Sequence, residues 1–287
     1  TKHKYNTLST ENMMIHIGFT TLGCPDWNLD DICRKGTKMG FEGVDFRGMQ
    51  DEIDITIMPE FTTHLAESKR KFVEAGLQVS GISTSLKICD ATQSEANLEE
   101  ARRTIPLALE LDVDTLRVFG GGNPAVHNKE EMADIGRDMM SAVLDLDGAR
   151  TFKWVLETHD HWIKALDSKL LLNRIHAEQF GVLWDMGHTA RVGQETPEVS
   201  MAALGDRIYC LHVKDAIYDT AHPQSMADGW RYVAPGTGQL PIAKAIALLR
   251  TKGYDGWLIF EHEKRWHAEL LEPEEMFPKF MDWYRGL

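Results

Sequence analysis

The stretch FGVLWDMGHTARVGQETPEVSMAALGDRIYCLHVKD (180–215) decides the reading of the fold. It opens on an apolar run, FGVLW, closed by Asp185, and it ends on a second run, IYCL, closed by His212. Between them a helical segment is predicted over 197–206, entered at Pro197, whose missing N–H costs little in a first helical turn. Two short buried-type runs joined by a helix make one strand–helix–strand unit. Such a unit implies parallel strands with a right-handed crossover.

The same unit recurs in both directions. Strands are predicted at 15–19 (IHIGF), 43–46 (GVDF), 78–83 (QVSGIS), 115–119 (TLRVF), 153–157 (KWVLE), 180–185, 208–212 and 256–261 (GWLIFE). Helices are predicted at 29–40, 62–76, 94–112, 129–149, 162–179, 197–206, 239–253 and 272–285. Gly40 and Gly76 stand where two of these helices must end on a positive φ, and Pro241 and Pro273 stand near helix starts. Eight alternations predict an α/β fold, a single-domain (β/α)8 TIM barrel over 14–287, because an open doubly wound sheet usually has fewer strands. Residues 1–13 are polar and read as a disordered or loosely packed tail without the apolar stretch of a signal peptide. The longest gap, 213–238, reads as a folded loop over the barrel mouth, with Trp230 or Trp266 as an apolar wall and Trp27 as a further candidate. The last helix should lay Phe277, Phe280 and Trp283 on the barrel, since their spacing of three puts them on one face.

The bulk properties narrow the partners. A net charge of −13 repels phosphate backbones and anionic membranes, so neither nucleic acid nor a membrane is expected. The four cysteines are widely spaced and form no CxxC pair, which reads as free thiols in a reducing compartment and favours the cytoplasm. No apolar run approaches the ~20 residues of a membrane-spanning helix.

In a barrel of this kind active sites form at the C-terminal strand ends. Here the fifth strand ends in Glu157, the sixth in Asp185, the seventh in His212 and the eighth in Glu261. Any one of them alone is ordinary rim polarity. Four on adjacent strands deliver three carboxylates and an imidazole to one rim, and a divalent cation relieves their repulsion. Oxygen-rich ligation with one imidazole suits one divalent ion, Mn²⁺ first, with Zn²⁺, Mg²⁺ or Co²⁺ as alternatives. His188 in WDMGH (184–188) is a ligand, a substrate contact or a capping histidine. Lys214 shares the face of His212 or else pairs with Asp215 at the rim, and Arg117 either points to the rim or braces its loop. His159, Arg231 and Trp230 complete the candidate substrate contacts.

These residues resemble the xylose isomerase-like TIM barrel superfamily, in its sugar phosphate isomerase/epimerase branch. The resemblance is carried by MGFEGVDFRG (39–48), EAGLQVSGIS (74–83), LRVFGG (116–121), LETHD (156–160), LWDMGH (183–188), CLHVKD (210–215), PGTG (235–238) and YDGWLIFEHE (254–263). It implies that Glu157, Asp185, His212 and Glu261 bind one metal, that Glu157 and Glu261 act as acid and base, and that His188 touches the substrate. Glu263 replaces Glu261 if the last strand is shifted by two residues. The implied activity is metal-dependent isomerisation or epimerisation of a sugar, sugar phosphate or polyol; a lyase or dehydratase of a keto-sugar or keto-cyclitol is the alternative. The expected partner is a small carbohydrate, with homo-oligomerisation left open.

The chain departs from the branch at named positions. Ketose 3-epimerases carry an arginine six residues after the ligand histidine, where this chain has Tyr218, so Arg231 or Arg117 would have to serve. The extra acidic residues of two-metal xylose isomerases are not found. The related abasic-site nucleases need histidines at the ends of strands two and three, and here those ends read FRGMQ (46–50) and STSLKICD (83–90). PGTG is the one short glycine motif that offers a phosphate cradle.

Overall fold

A computed structural model describes residues 14–287; the tail expected at 1–13 lies outside the described residues. Eight parallel strands close into a barrel, each paired with the next barrel strand along the chain and the last with the first. They are β1 (His16–Thr20), β2 (Gly43–Phe46), β3 (Gln78–Lys87), β4 (Thr115–Phe119), β5 (Lys153–Glu157), β6 (Phe180–Asp185), β7 (Ile208–Val213) and β10 (Trp257–Phe260). The gap after β7 is not an irregular loop. It folds as an antiparallel hairpin of β8 (Asp215–Tyr218) and β9 (Trp230–Val233).

Around the barrel run α1 (Leu29–Met39), α2 (Leu65–Ala75), α3 (Ser94–Glu110), α4 (Lys129–Leu144), α5 (Ala165–Arg174), α6 (Met186–Arg191), α7 (Pro197–Leu204), α8 (Ile242–Lys252) and α9 (Pro273–Arg285). Gly40 and Gly76 close α1 and α2 at φ 97° and 68°, the left-handed conformation that lets the cap N–H reach back to the last turn. The predicted helices 129–149 and 162–179 are shorter at their ends than their periodicity suggested. Helix α6 was not anticipated; Asp185 caps it by accepting from the His188 N–H at 2.8 Å.

Side-chain alternation along the strands builds the interior. Val155, Leu183, Cys210, Trp257 and Ile259 form a separate buried cluster within the barrel. Val155, Leu183, Cys210 and Ile259 stand two residues before Glu157, Asp185, His212 and Glu261, so a period of two puts all four polar side chains inward, one layer above that plug. Glu261 lies one residue past the end of β10, yet its N–H still donates to the Val213 carbonyl at 3.0 Å and extends the ladder. Room for the plug comes from β1 to β3. A Cβ on Gly43 would sit 2.6 Å from the Trp257 ring, and one on Gly18 would sit 2.7 Å from Ile259.

The outer layer holds α9 as expected. Phe280 stacks on Phe260 at 4.3 Å, Phe277 is fully buried, and Trp283 packs at the margin of the same core. Trp27 belongs to this layer too, 5.7 Å from Phe277 with its indole N–H on Glu274. That placement removes it from the mouth, because the α1–α9 seam offers a drier surface for the ring. The four cysteines are buried free thiols. No described helix is long and apolar enough to cross a membrane.

Candidate metal centre

Glu157, Asp185, His212 and Glu261 each offer a ligand atom, and these atoms all lie within 4.8 Å of one another. All four side chains are buried. His212 Nδ1 is 3.1 Å from Glu261 Oε1 and 3.8 Å from Glu157 Oε1. Neither approach has the direction of a hydrogen bond, so both ring nitrogens of His212 are buried without a hydrogen-bond partner; Asp185 Oδ2 also accepts none and is met only at ion-pair distance by Lys214 and His188. Native proteins leave few such groups unsatisfied. A cation among them would satisfy all three, and the donor set of three carboxylates and one imidazole fits a divalent ion.

The remaining oxygen of each glutamate is held by a fixed cation. Arg117 Nη1 donates to Glu157 Oε2 at 3.0 Å, and Lys214 Nζ donates to Glu261 Oε2 at 2.5 Å. Lys214 also lies 2.9 Å from Asp185 Oδ2 and donates to Glu263 Oε1 at 2.6 Å. Burial opposes its charge, but Asp185 and the two glutamates hold its pKa well above the ordinary lysine value. Burial likewise opposes ionisation of Glu261, yet Lys214 and then His212 hold its carboxyl well below the usual range. Asp185 is pushed up by burial. Glu261 therefore stands in the quartet, and Glu263 stands outside it, accepting from Lys214 and from the Tyr232 hydroxyl at 3.0 Å.

His188 is drawn in by the α6 cap. Its Nδ1 sits 3.1 Å from the Thr158 carbonyl and 3.2 Å from Asp185 Oδ2. Burial and then Lys214 depress its pKa to about 3, so the ring stays neutral at any working pH. His159 stands in edge contact with it at 5.0 Å, pairs with Asp160 at 2.6 Å, and lies 4.8 Å from Phe119. Lys214 points into the site rather than to Asp215. Asp215 instead accepts from the N–H groups of Gly236 and Gly238, both at 2.9 Å. The cradle expected of PGTG is thus filled by a carboxylate of the chain itself.

Two candidates lie apart. Arg231 faces Asp219 at 4.0 Å, and Trp230 meets Tyr218 at 5.5 Å. Among the described residues neither has a hydrogen bond or ion pair to the quartet. Trp230 and Tyr218 line a cleft of about 680 Å³ on the outer side of the hairpin, with Arg191 and Lys244. Further clefts of about 410 and 480 Å³ lie at the N-terminal end of the barrel, far from the ligand atoms. The buried, unpartnered ligand atoms are better evidence of a site than any of these open clefts. Sequence reasoning missed Tyr232, and it missed Asp45 and Arg47, which alternation along β2 turns inward. Asp45 is buried with Oδ1 unpartnered, and burial raises its pKa.

Residues 33–287 match the family model described as xylose isomerase-like TIM barrel. No curated protein matches the chain. Among solved structures, a probable 3-DHS dehydratase involved in petrobactin synthesis, from Bacillus anthracis, is similar with a TM-score of 0.76 and 17% identity, covering 95% of this chain and 99% of that one. A 3-keto-D-glucoside 4-epimerase from E. coli is similar with a TM-score of 0.74 and 15% identity, covering 96% and 100%. A D-allulose 3-epimerase from Methylomonas sp. in complex with D-allulose gives 0.71 and 16%, covering 95% and 96%. At these identities the likeness is one of fold.

Proposed function

The chain belongs to the xylose isomerase-like TIM barrel family, and from that premise we propose that it is a metal-dependent isomerase or epimerase of a sugar, sugar phosphate or polyol derivative, working by proton transfer next to a carbonyl. The observation that carries this reading is the quartet of Glu157, Asp185, His212 and Glu261, with both His212 nitrogens buried and unpartnered. A divalent ion held there, Mn²⁺ before Zn²⁺, Mg²⁺ or Co²⁺, supplies Lewis-acid polarisation of a substrate carbonyl.

The chain's own residues supply the rest. Glu157 and Glu261 come from strands three positions apart in the ring, so their carboxylates approach a bound substrate from different sides. Each would give the metal one oxygen, Oε1, and take or return a proton at Oε2, the oxygen that Arg117 or Lys214 holds. Such transfer contributes typically ~10²–10⁴-fold in rate. Removal of a C–H proton on one side and its return on the other inverts a stereocentre. His188, neutral and held by Thr158, is placed to hydrogen-bond a substrate oxygen, with Lys214, Arg117 and His159 around it.

A second reading, a lyase or dehydratase, is favoured by one observation: the contact of Lys214 with Glu261 makes this glutamate the weaker base. Glu157 alone would then take the proton. The C–O bond at the β position breaks, a C=C forms, and the departing hydroxyl takes the proton that Glu157 removed and leaves as water. Two epimerases and a dehydratase among the similar structures fall on both sides of this choice. Turnover by the Mn²⁺-loaded protein in D₂O, over a panel of neutral and carboxylate-bearing keto-sugars, separates the two. Deuterium at the carbon beside the carbonyl with mass otherwise conserved supports the isomerase. Loss of water assigns the lyase, and no exchange or loss with any substrate refutes both.

A further inference from the structure

The half of the barrel facing the metal quartet carries two guanidinium groups, Arg47 and Arg117, beside the buried Asp45. Alternation along β2 turns Asp45 and Arg47 inward, and along β4 it turns Arg117 and Phe119 inward. Both guanidinium groups gather on one ring: the Arg117 carbon lies 3.7 Å and the Arg47 carbon 5.9 Å from the Phe119 centroid. Arg117 is almost fully buried and spends Nη1 on Glu157, while its Nε is buried with no acceptor. Arg47 is the surplus charge. Among the described residues its guanidinium donates to Ser85 Oγ at 2.9 Å and the Ser83 carbonyl at 3.4 Å, and no carboxylate lies within ion-pair distance. Arg117 stands close enough to repel it, and burial with that repulsion lowers its pKa to about 10.

Glu100, Glu157 and Asp45 act on Arg47 only from beyond ion-pair distance, and a half-buried guanidinium beside another with no carboxylate in contact has room for an anion. The site also opens on this side, since Arg47, Phe119 and His159 are partly exposed and Ser85 is exposed, while the four metal ligands are buried. We propose that Arg47 and Arg117, both beside the Phe119 ring, form an anion subsite next to the metal centre that takes a substrate carboxylate, with the substrate ring or chain lying against Phe119. A planar fork matches a carboxylate in two parallel hydrogen bonds. A phosphate monoester would fit the same fork, but the backbone N–H cradle that PGTG offers as further support is filled by Asp215. The identity of the carboxylate as part of the substrate rests on the function proposed above; the binding itself does not.

The test is therefore binding rather than turnover. Cyclohexanecarboxylate, its uncharged amide and cyclohexyl phosphate are titrated into the protein with and without Mn²⁺, followed by ligand-observed NMR. The carboxylate should bind about tenfold more tightly than the amide, as expected for loss of one charge-assisted contact. That preference should persist without Mn²⁺, vanish in Arg47→Gln and survive in part in Arg47→Lys, which keeps the charge without the fork. Equal binding of acid and amide, a preference unchanged in both variants, or one that appears only with Mn²⁺ would overturn the subsite. Tighter binding of the phosphate would overturn its assignment to a carboxylate. None of these outcomes depends on whether the protein isomerises or dehydrates anything.

Discussion

Lys214 Nζ lies 2.5 Å from Glu261 Oε2, inside the ring of side chains that offer ligands to a metal. An ammonium fixed there shares the carboxylates of Glu261 and Asp185 with an incoming ion. Loss of one partner of a buried ion pair leaves an uncompensated charge, which costs about 3–5 kcal/mol. Lys214→Met should therefore melt well below the parent protein, and added Mn²⁺ should raise its melting temperature more than the parent's. Equal Mn²⁺ shifts in thermal melts of the two proteins would refute the sharing.

His212 sets the pH dependence. Burial works against its charge, but Glu261 and then Glu157 prevail and raise its pKa to about 9, above an ordinary imidazole's ~6.5. The stability this imidazolium contributes is thus complete below ~6.5 and is lost as pH rises through that raised value. Metal affinity runs the other way, because a ligand imidazole must be neutral. Between the two values about one proton should leave for each ion bound, and affinity should rise about tenfold per pH unit. Calorimetry of Mn²⁺ binding in buffers of different ionisation enthalpy counts that proton, and a count of zero would contradict the assignment.

His212 and His188 should separate on mutation. His212→Ala removes a ligand whose two nitrogens have no other partner, so purified protein should carry no bound divalent ion by elemental analysis. His188→Ala should keep its ion and lose turnover, since Nδ1 of this ring is engaged with Thr158. The reverse pattern would exchange their roles.

The outer wall is tested at Phe280. It is fully buried and stacks on Phe260 at 4.3 Å and on Phe41 at 6.0 Å. Truncation of a buried aromatic leaves a cavity, so Phe280→Ala should cost about 3–5 kcal/mol in denaturant unfolding. A loss below about 1 kcal/mol would mean that α9 does not close the barrel wall.

The barrel and its quartet were legible because two periods coincide in the sequence. Strand–helix alternation places Glu157, Asp185, His212 and Glu261 at one rim, and the residue two before each is apolar. Arg47 obeys the same alternation, in GVDFR, yet β2 is buried on both faces, so nothing in the sequence says which face is inside. The hairpin was hidden because Tyr218 and Trp230 are joined by a connection far longer than ordinary hairpin loops of about 2–5 residues. Helix α6 is too short to show a period and owes its start to Asp185, which the sequence marks only as a ligand. PGTG read as a phosphate cradle because the carboxylate that fills it is some twenty residues away in the chain.

One divalent ion is expected among Glu157, Asp185, His212 and Glu261. Crystals soaked in Mn²⁺ and measured at the manganese edge test it most directly. A single anomalous peak within coordination distance of all four side chains is the predicted result. No peak, or peaks that avoid His212, would contradict it.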